Sequence, residues 1–268
     1  MESRHLETLT KYLNETEVLK LIDLEEVVNV INVPNKKWNF KRINEGLYFK
    51  KQECVLYFVN ELIGRMLSNK LDLDAITYVI ASRVTKLPKG PIKTDYGVAS
   101  PDFKEEDWVY FNPQETFGLH TFLEYINYLT KDSSSLMNSL SKLFAIDIYS
   151  GQTDRYGQNI IFKKQKGKVL LAPAFDFERS FINLFDGNDH VYENGYNCSF
   201  FSIECDELKD YFKVIPNLET YITKLLSLSM SELLEEIEDM YKIIIPTELK
   251  DYYGAYVEEN TKSLIKHM

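Results

Sequence analysis

The chain predicts an α+β protein in two lobes, a small β-rich lobe followed by a mostly helical one, and three observations carry that expectation. Short runs rich in Val, Ile, Phe, Trp and Tyr dominate residues 27–112, and one stretch of helical periodicity interrupts them. From residue 113 onward the helical pattern takes over. The length of 268 residues also exceeds the common single-domain size of about 100–150, which suits two lobes, 1–112 and 113–268.

Element by element, Leu9, Tyr12, Leu13, Leu19 and Ile22 recur at helical spacing and predict one or two amphipathic helices before about Glu26. "VVNVINV" and "KKWNFKRINEGLYFKK", punctuated by the turn signals "PNKK" and "NEG", predict a β-meander that leaves Lys50 near a strand end. Val55, Phe58, Leu62, Met66 and Leu67 then mark a helix, and "AITYVIASRV" and "KTDYGVASPDF" return to strand texture. "WVYFNPQ", with Pro113, suits a hinge. Helices follow through "TFGLHTFLEYINYLTKD" and "SLMNSLSKLFAIDIYSG", then strands around "NIIFKK" and "VLLAP". Residues 208–268 are helical in pattern, with Pro216, Pro246 and Gly254 as interruptions.

Composition narrows the function. A hydrophobic fraction of 44% with 27% charged residues is that of a globular protein rather than a disordered one. A net charge of -10 disfavours direct nucleic-acid binding, which rests on Lys and Arg neutralising phosphates. Cys54, Cys198 and Cys205 are too few and too scattered for a disulfide framework or a zinc ribbon, and read as reduced, structural thiols. His5, His120, His190 and His267 share no ligand spacing. The N-terminal residues lack the apolar segment of a secretory signal, and no run approaches the roughly 20 apolar residues of a membrane span. The expected location is the cytoplasm, with a delivered effector as the alternative.

The chemistry-bearing stretch is "SGQTDRYGQNIIFKKQKGKVLLAPAFDFERSF", Ser150 to Phe181. Phosphoryl transfer requires a carboxylate beside the attacking hydroxyl, oxygen ligands for Mg²⁺ and a lysine on the nucleotide phosphates. Asp154 and Asn159 have the Asp-x-x-x-x-Asn spacing of a kinase catalytic loop, and Asp176 follows an apolar strand where kinases carry Asp-Phe-Gly. Upstream, Lys50 ends "GLYFK" and Glu61 lies on the next helix, within the order of a phosphate-binding lysine and its glutamate partner. Lys51 competes with Lys50 because strand side chains alternate, and Glu53 competes with Glu61. Arg155 either orients this loop or caps it.

With these residues in place the sequence resembles the HipA-like serine/threonine kinases, atypical members of the protein-kinase fold. "KKWNFKRINEGLYFKK", "NELIGRMLSNKLDLDAITYVIAS", "YGVASPDF" and the stretch from Gly151 to Phe181 carry the resemblance, over roughly residues 30 to 182. It implies a bilobal kinase-like fold, ATP and Mg²⁺ as cofactors, and a protein substrate with a Ser or Thr acceptor. It also implies Asp154 as catalytic base in a loop at 150–160, and Asn159 and Asp176 as metal ligands, the latter in a segment at 172–180. Lys50, which follows "LYF" as the family pattern has it, becomes the phosphate-binding lysine and Glu61 its partner. The family often supplies the toxin of a toxin-antitoxin pair, so a separate DNA-binding antitoxin is the implied partner.

Two departures stand out. The turn "NVPNKKWN" has no glycine where kinases lay a glycine-rich loop over the phosphates, which leaves Asn35, Lys36 and Lys37 as the candidate phosphate contacts. The same turn lacks the serine that several relatives phosphorylate in themselves, and "DFE" replaces Asp-Phe-Gly, leaving Glu178 beside the metal segment. The glycine-free turn motivates the rival reading, a pseudokinase that binds nucleotide as a regulatory module without phosphoryl transfer. A lipid or small-molecule kinase is a further alternative, although no basic amphipathic helix argues for a membrane surface.

Overall fold

The computed structural model describes residues 2–15, 18–21, 28–31, 40–43, 47–86, 92–101, 108–110, 119–130, 133–152, 155, 159–165, 168–182, 196–197, 202–203 and 208–268. Asn35, Lys36, Lys37, Asp154, Cys198 and Cys205 lie outside the described residues. Helix α1 (Glu2–Asn14) and a 3-10 turn (Val18–Leu21) precede a five-stranded sheet built from β1 (Val28–Ile31), β2 (Phe40–Ile43), β3 (Leu47–Lys51), β4 (Val79–Lys86) and β5 (Ile92–Pro101). Helix α2 (Val55–Lys70) is threaded between β3 and β4.

The strand order is β1-β4-β5-β3-β2. β2 and β3 form an antiparallel pair joined through "NEG", but β1 pairs with β4 in parallel at the opposite edge. The expected meander is therefore split: strand texture marks β1 as a strand, and the crossover that a parallel pair requires carries it away from β2. Along β3 the side chains alternate. Lys50 faces the same way as its register neighbour Val98 and, across β5, Ile80, which belong to the main core. Phe49 lies on the other face, with Ala81 and Ala99 in a separate small cluster.

Helix α2 is buried continuously from Val55 to Gly64. A helix apolar on nearly every side is stable only when enclosed, so the polar Asn60 and Glu61 within it must find internal partners. Its N-terminus is capped by Cys54, whose Sγ accepts the Tyr57 N–H at 3.5 Å. Burial pushes the Cys54 thiol up to about 11, in keeping with a structural rather than a reactive role.

The segment expected as a hinge contains a strand, β6 (Trp108–Tyr110), which pairs with β7 (Ile161–Gln165); β7 in turn pairs with β8 (Lys168–Leu171). Helices α3 (Leu119–Leu129) and α4 (Ser134–Ser150) lie between β6 and β7. The short strands β9 (Tyr196–Asn197) and β10 (Ser202–Ile203) pair with each other. Helices α5 (Leu208–Val214), α6 (Leu218–Leu226), α7 (Met230–Tyr241) and α8 (Thr247–His267) complete the chain. Pro216 and Pro246 fall between helices as expected, but α8 runs straight through Gly254. A glycine costs a helix only about 1 kcal/mol, less than the burial of Tyr252, Tyr253 and Tyr256 on the opposite face contributes. One continuous apolar core links α1 and α2 to α4, to residues 172–181 and to α6 through α8. Among the described residues no helix is long and apolar enough to cross a membrane.

Candidate functional site

Of the residues expected to bind nucleotide or metal, Lys50, Glu61, Asn159 and Asp176 are described, and Lys50, Glu61 and Asp176 converge. The Lys50 ammonium, 2% exposed, donates to Asp176 Oδ1 and forms ion pairs with Glu61 Oε2 at 3.5 Å and Glu178 Oε2 at 3.0 Å. Lys51 points the other way, is 39% exposed and pairs with Asp95 at 3.4 Å. Glu53 is exposed. The alternation of β3 thus turns Lys50 toward α2, where Glu61 lies in the second turn of the helix.

Glu61 is itself fully enclosed. Its Oε1 accepts the Tyr78 hydroxyl and the Asp176 N–H at 3.1 Å, and its Oε2 accepts the Phe177 N–H at 2.8 Å. Burial, reinforced by the Glu61 carboxylate, pushes the Tyr78 phenol well up, so it stays a donor. Asp176 has φ of 66°, a left-handed conformation uncommon outside glycine and tolerated by aspartate. This strained residue presents its carboxylate to Lys50 while its own and the next backbone N–H bind Glu61.

The polar loop after α4 is fastened to the same segment. Gly151 ends α4 in a left-handed C-cap with φ of 60°, a backbone that glycine adopts without Cβ strain. Gln152 Nε2 then donates to Asp176 O at 2.8 Å. Arg155 is fully buried: its Nε and Nη2 donate to the two oxygens of Asp147, both at 2.9 Å, and Nη1 donates to Phe175 O at 2.6 Å. Its guanidinium also lies over the Phe177 ring, 4.8 Å from the centroid. Arg155 therefore ties the loop to α4 and to the approach to Asp176, which is more than capping a turn. Asn159, half-buried, precedes β7, and Ala172 N–H bonds Ile161 O at 2.8 Å, so Asn159 and Asp176 both flank that end of the β7–β8 hairpin. A second clip, Ala174 N–H to Asp74 O at 2.8 Å and Ile76 N–H to Ala174 O at 2.9 Å, joins the segment to the chain before β4.

Three carboxylates around one ammonium leave the cluster net negative. Burial disfavours the charged amine, but Asp176, Glu61 and Glu178 together outweigh it and hold Lys50 firmly protonated. Burial raises the Glu178 carboxyl above its ordinary range, and Asp176 and Glu61 add to that rise against the pull of Lys50. Among the described residues no group of three His, Cys, Asp or Glu forms a metal cage. Mg²⁺ asks for less, one or two carboxylate or amide oxygens beside nucleotide phosphates and water, and Asp176 and Asn159 are of that hard-oxygen type. The Asp176 side chain is 14% exposed, within reach of a ligand.

Sequence reasoning passed over several contributors. Asp147 interrupts the apolar run "LFAIDIYS", and a charge there is a signal of a buried partner. Gly64 sits inside a helical pattern, where glycine usually has a packing reason. A Cβ built on Gly64 would lie 2.1 Å from Cγ of Phe177, so its absence is what lets that ring lie against α2. Asn60 and Tyr253 had no local signal.

No protein-family model matches the chain, and no curated protein sequence matches it. Among solved structures it is similar to the Helicobacter pylori proinflammatory kinase CtkA, with a TM-score of 0.60 and 15% identity, covering 85% of this chain and 93% of that one. It also aligns with HipA in a complex of the Shewanella oneidensis MR-1 toxin-antitoxin system, HipA, HipB and operator DNA. That match has a TM-score of 0.47 and 12% identity over 92% of this chain and 67% of that one. At 15% identity the likeness to CtkA is one of architecture, and the chain accordingly has a mixed α+β, bilobal, kinase-like fold.

Proposed function

We propose that this protein is an ATP- and Mg²⁺-dependent serine/threonine protein kinase of the HipA-like type. The observation that carries the reading is the enclosed Lys50, bridged to Glu61 on α2 and to Asp176 after β8, with Gln152 and Arg155 fastening the intervening loop to the same backbone. Lys50 is the phosphate-binding lysine and Glu61 the helix partner that aims it. Asp154, between Gln152 and Arg155 in sequence, takes the proton of a Ser or Thr hydroxyl as that oxygen bonds to the γ-phosphorus and ADP leaves. Asp176 and Asn159 would hold Mg²⁺, which would supply neutralisation of charge on the nucleotide phosphates. In this reading residues 1–112 form the N-lobe and 113–268 the C-lobe. The sequence resemblance makes a separate DNA-binding antitoxin the partner to seek.

The test is incubation of purified protein with γ-labelled ATP, Mg²⁺ and a bacterial lysate beside Asp154→Ala and Asp176→Ala. Labelled protein bands that vanish in both variants support a protein kinase. ATP binding without transfer would replace it with the pseudokinase reading, and label on lipid or small molecules alone would move the acceptor out of the protein class. Loss of both binding and transfer would overturn the nucleotide site.

A further inference from the structure

The segment that carries Asp176 is gripped by two neighbouring residues of α2 with complementary chemistry. Glu61 accepts the N–H groups of Asp176 and Phe177. Asn60, immediately before it, donates through Nδ2 to the carbonyls of Glu178, at 2.9 Å, and Ser180. The Asn60 Oδ1 in turn accepts the hydroxyl of Tyr253 on α8 at 2.7 Å. Asn60 and Tyr253 are both fully buried.

Helix α8 reaches the far end of the same segment as well. Phe181 adopts φ of 58°, a genuine outlier for a bulky side chain. Its N–H bonds Ser150 O at 2.6 Å and its carbonyl accepts the Tyr252 hydroxyl. Its ring stands edge-on to Tyr253 and Tyr256, with centroids 5.5 and 5.2 Å away. Tyr256 also donates to Ser150 O at 3.2 Å, and Asn260 Nδ2 to Tyr149 O. One face of α8 thus binds the end of α4, the end of the Asp176 segment and, through Asn60, the helix that carries Glu61. Strained backbone of this kind persists only where its surroundings over-determine it.

We propose that Asn60 and Tyr253 are positioning residues: together they set the placement of residues 176–181 against α2, and through it the site of Asp176, which makes the C-terminal helix part of the working site. Tyr253 acts by fixing the Asn60 amide so that both Nδ2 hydrogens stay on the two carbonyls. The part of this inference that concerns metal use rests on the kinase reading, whereas the part that concerns backbone placement does not.

The experiment compares the full chain with Tyr253→Phe, which keeps the ring and removes the hydroxyl, and Asn60→Leu. A core variant of α6, Leu225→Ala, serves as the control for general loss of stability, since Leu225 is buried and α6 takes part in none of these hydrogen bonds. Two quantities are read: the Mg²⁺ concentration for half-maximal phosphoryl transfer, and hydrogen exchange of the peptide spanning 176–181. Tyr253→Phe is expected to raise the Mg²⁺ requirement by about three- to tenfold and to speed exchange in 176–181 by a similar factor, while α6 keeps its protection. Asn60→Leu is expected to do at least as much, and adding Tyr253→Phe to it to do nothing further. Leu225→Ala is expected to leave the Mg²⁺ requirement in place. If Tyr253→Phe alters neither quantity, or follows Leu225→Ala in both, the inference is overturned. Faster exchange with an unchanged Mg²⁺ requirement would overturn the catalytic part. If the parent transfers no phosphate, the kinase reading fails on its own account, and the exchange of 176–181 alone decides whether Asn60 and Tyr253 set the placement of that segment.

Discussion

The Lys50 ammonium donates to the Asp176 carboxylate from 126 positions earlier in the chain, and both sit beside the enclosed Glu61. This contact joins the sheet, α2 and the turn after β8 at one point. Replacing Lys50 by Met would leave Asp176, Glu61 and Glu178 without their cation. Breaking a buried pair from one side costs about 3–5 kcal/mol. Urea unfolding of Lys50→Met should show a loss of that order; an unchanged midpoint would mean the carboxylates are solvated rather than enclosed.

Gly64→Ala should damage the site more than its size suggests. The added methyl would meet the Phe177 ring at 2.1 to 2.5 Å, so either α2 or the Asp176 segment must shift. Overpacking of this kind costs about 1–3 kcal/mol. Because Phe177 adjoins Asp176, the proposed phosphoryl transfer should fall together with the unfolding midpoint; a variant that kept both would show that Phe177 has room to move.

Arg155→Lys should fail to substitute. Lysine offers one ammonium where the guanidinium spans both Asp147 oxygens and the Phe175 carbonyl. Asp147, wholly buried, would keep at most part of its pairing. The expected loss is about 2–4 kcal/mol by chemical denaturation, smaller than for Arg155→Met, which removes the guanidinium charge beside the buried carboxylate altogether. Equal losses in the two variants would show that charge at Asp147 is irrelevant.

Glu178→Gln should change how stability depends on pH. The folded protein holds the Glu178 carboxyl above its ordinary range, mainly through burial, so it binds that proton more tightly than the unfolded chain does. That residue's contribution is therefore greatest in acid and declines as pH rises from the ordinary carboxylate range through the raised folded value. With Gln in place the decline is absent. Unfolding free energies measured between about pH 4 and pH 7 should move in favour of the variant as pH increases. A pH-independent difference would contradict the assignment.

Gly254→Ala should stabilise. Gly254 lies within α8 on its exposed face, and a Cβ there meets nothing within 4 Å. Alanine in place of a helical glycine gains about 0.5–1 kcal/mol, largely by narrowing the unfolded ensemble. A small rise in the thermal midpoint with unchanged activity is expected, and a fall would show that this face is in use.

Much of this architecture was legible in the residues. Periodicity located α2 and the C-terminal helices, alternation and turn residues located β2 and β3, and the order of Lys50, Glu61 and Asp176 picked out three side chains that the fold brings into contact. Partner choice was not legible. Nothing local distinguishes a strand that pairs with its neighbour from one that crosses to the far edge, so a meander is expected where the fold pairs β1 with β4. Gly254 carried the same local signal as a helix end, and only the buried tyrosines on its opposite face show why α8 continues.

By itself the sequence determined composition, the type of most elements and the inventory of charged and polar groups, because those follow from each residue's own chemistry and short-range spacing. Only the tertiary structure decided that Lys50 rather than Lys51 turns inward, that Arg155 spends its charge on Asp147, and that Asn60 and Tyr253 hold the Asp176 segment. Those choices depend on groups as far as 193 positions apart in the chain, whose enclosure from water makes an internal hydrogen-bond partner strongly favoured.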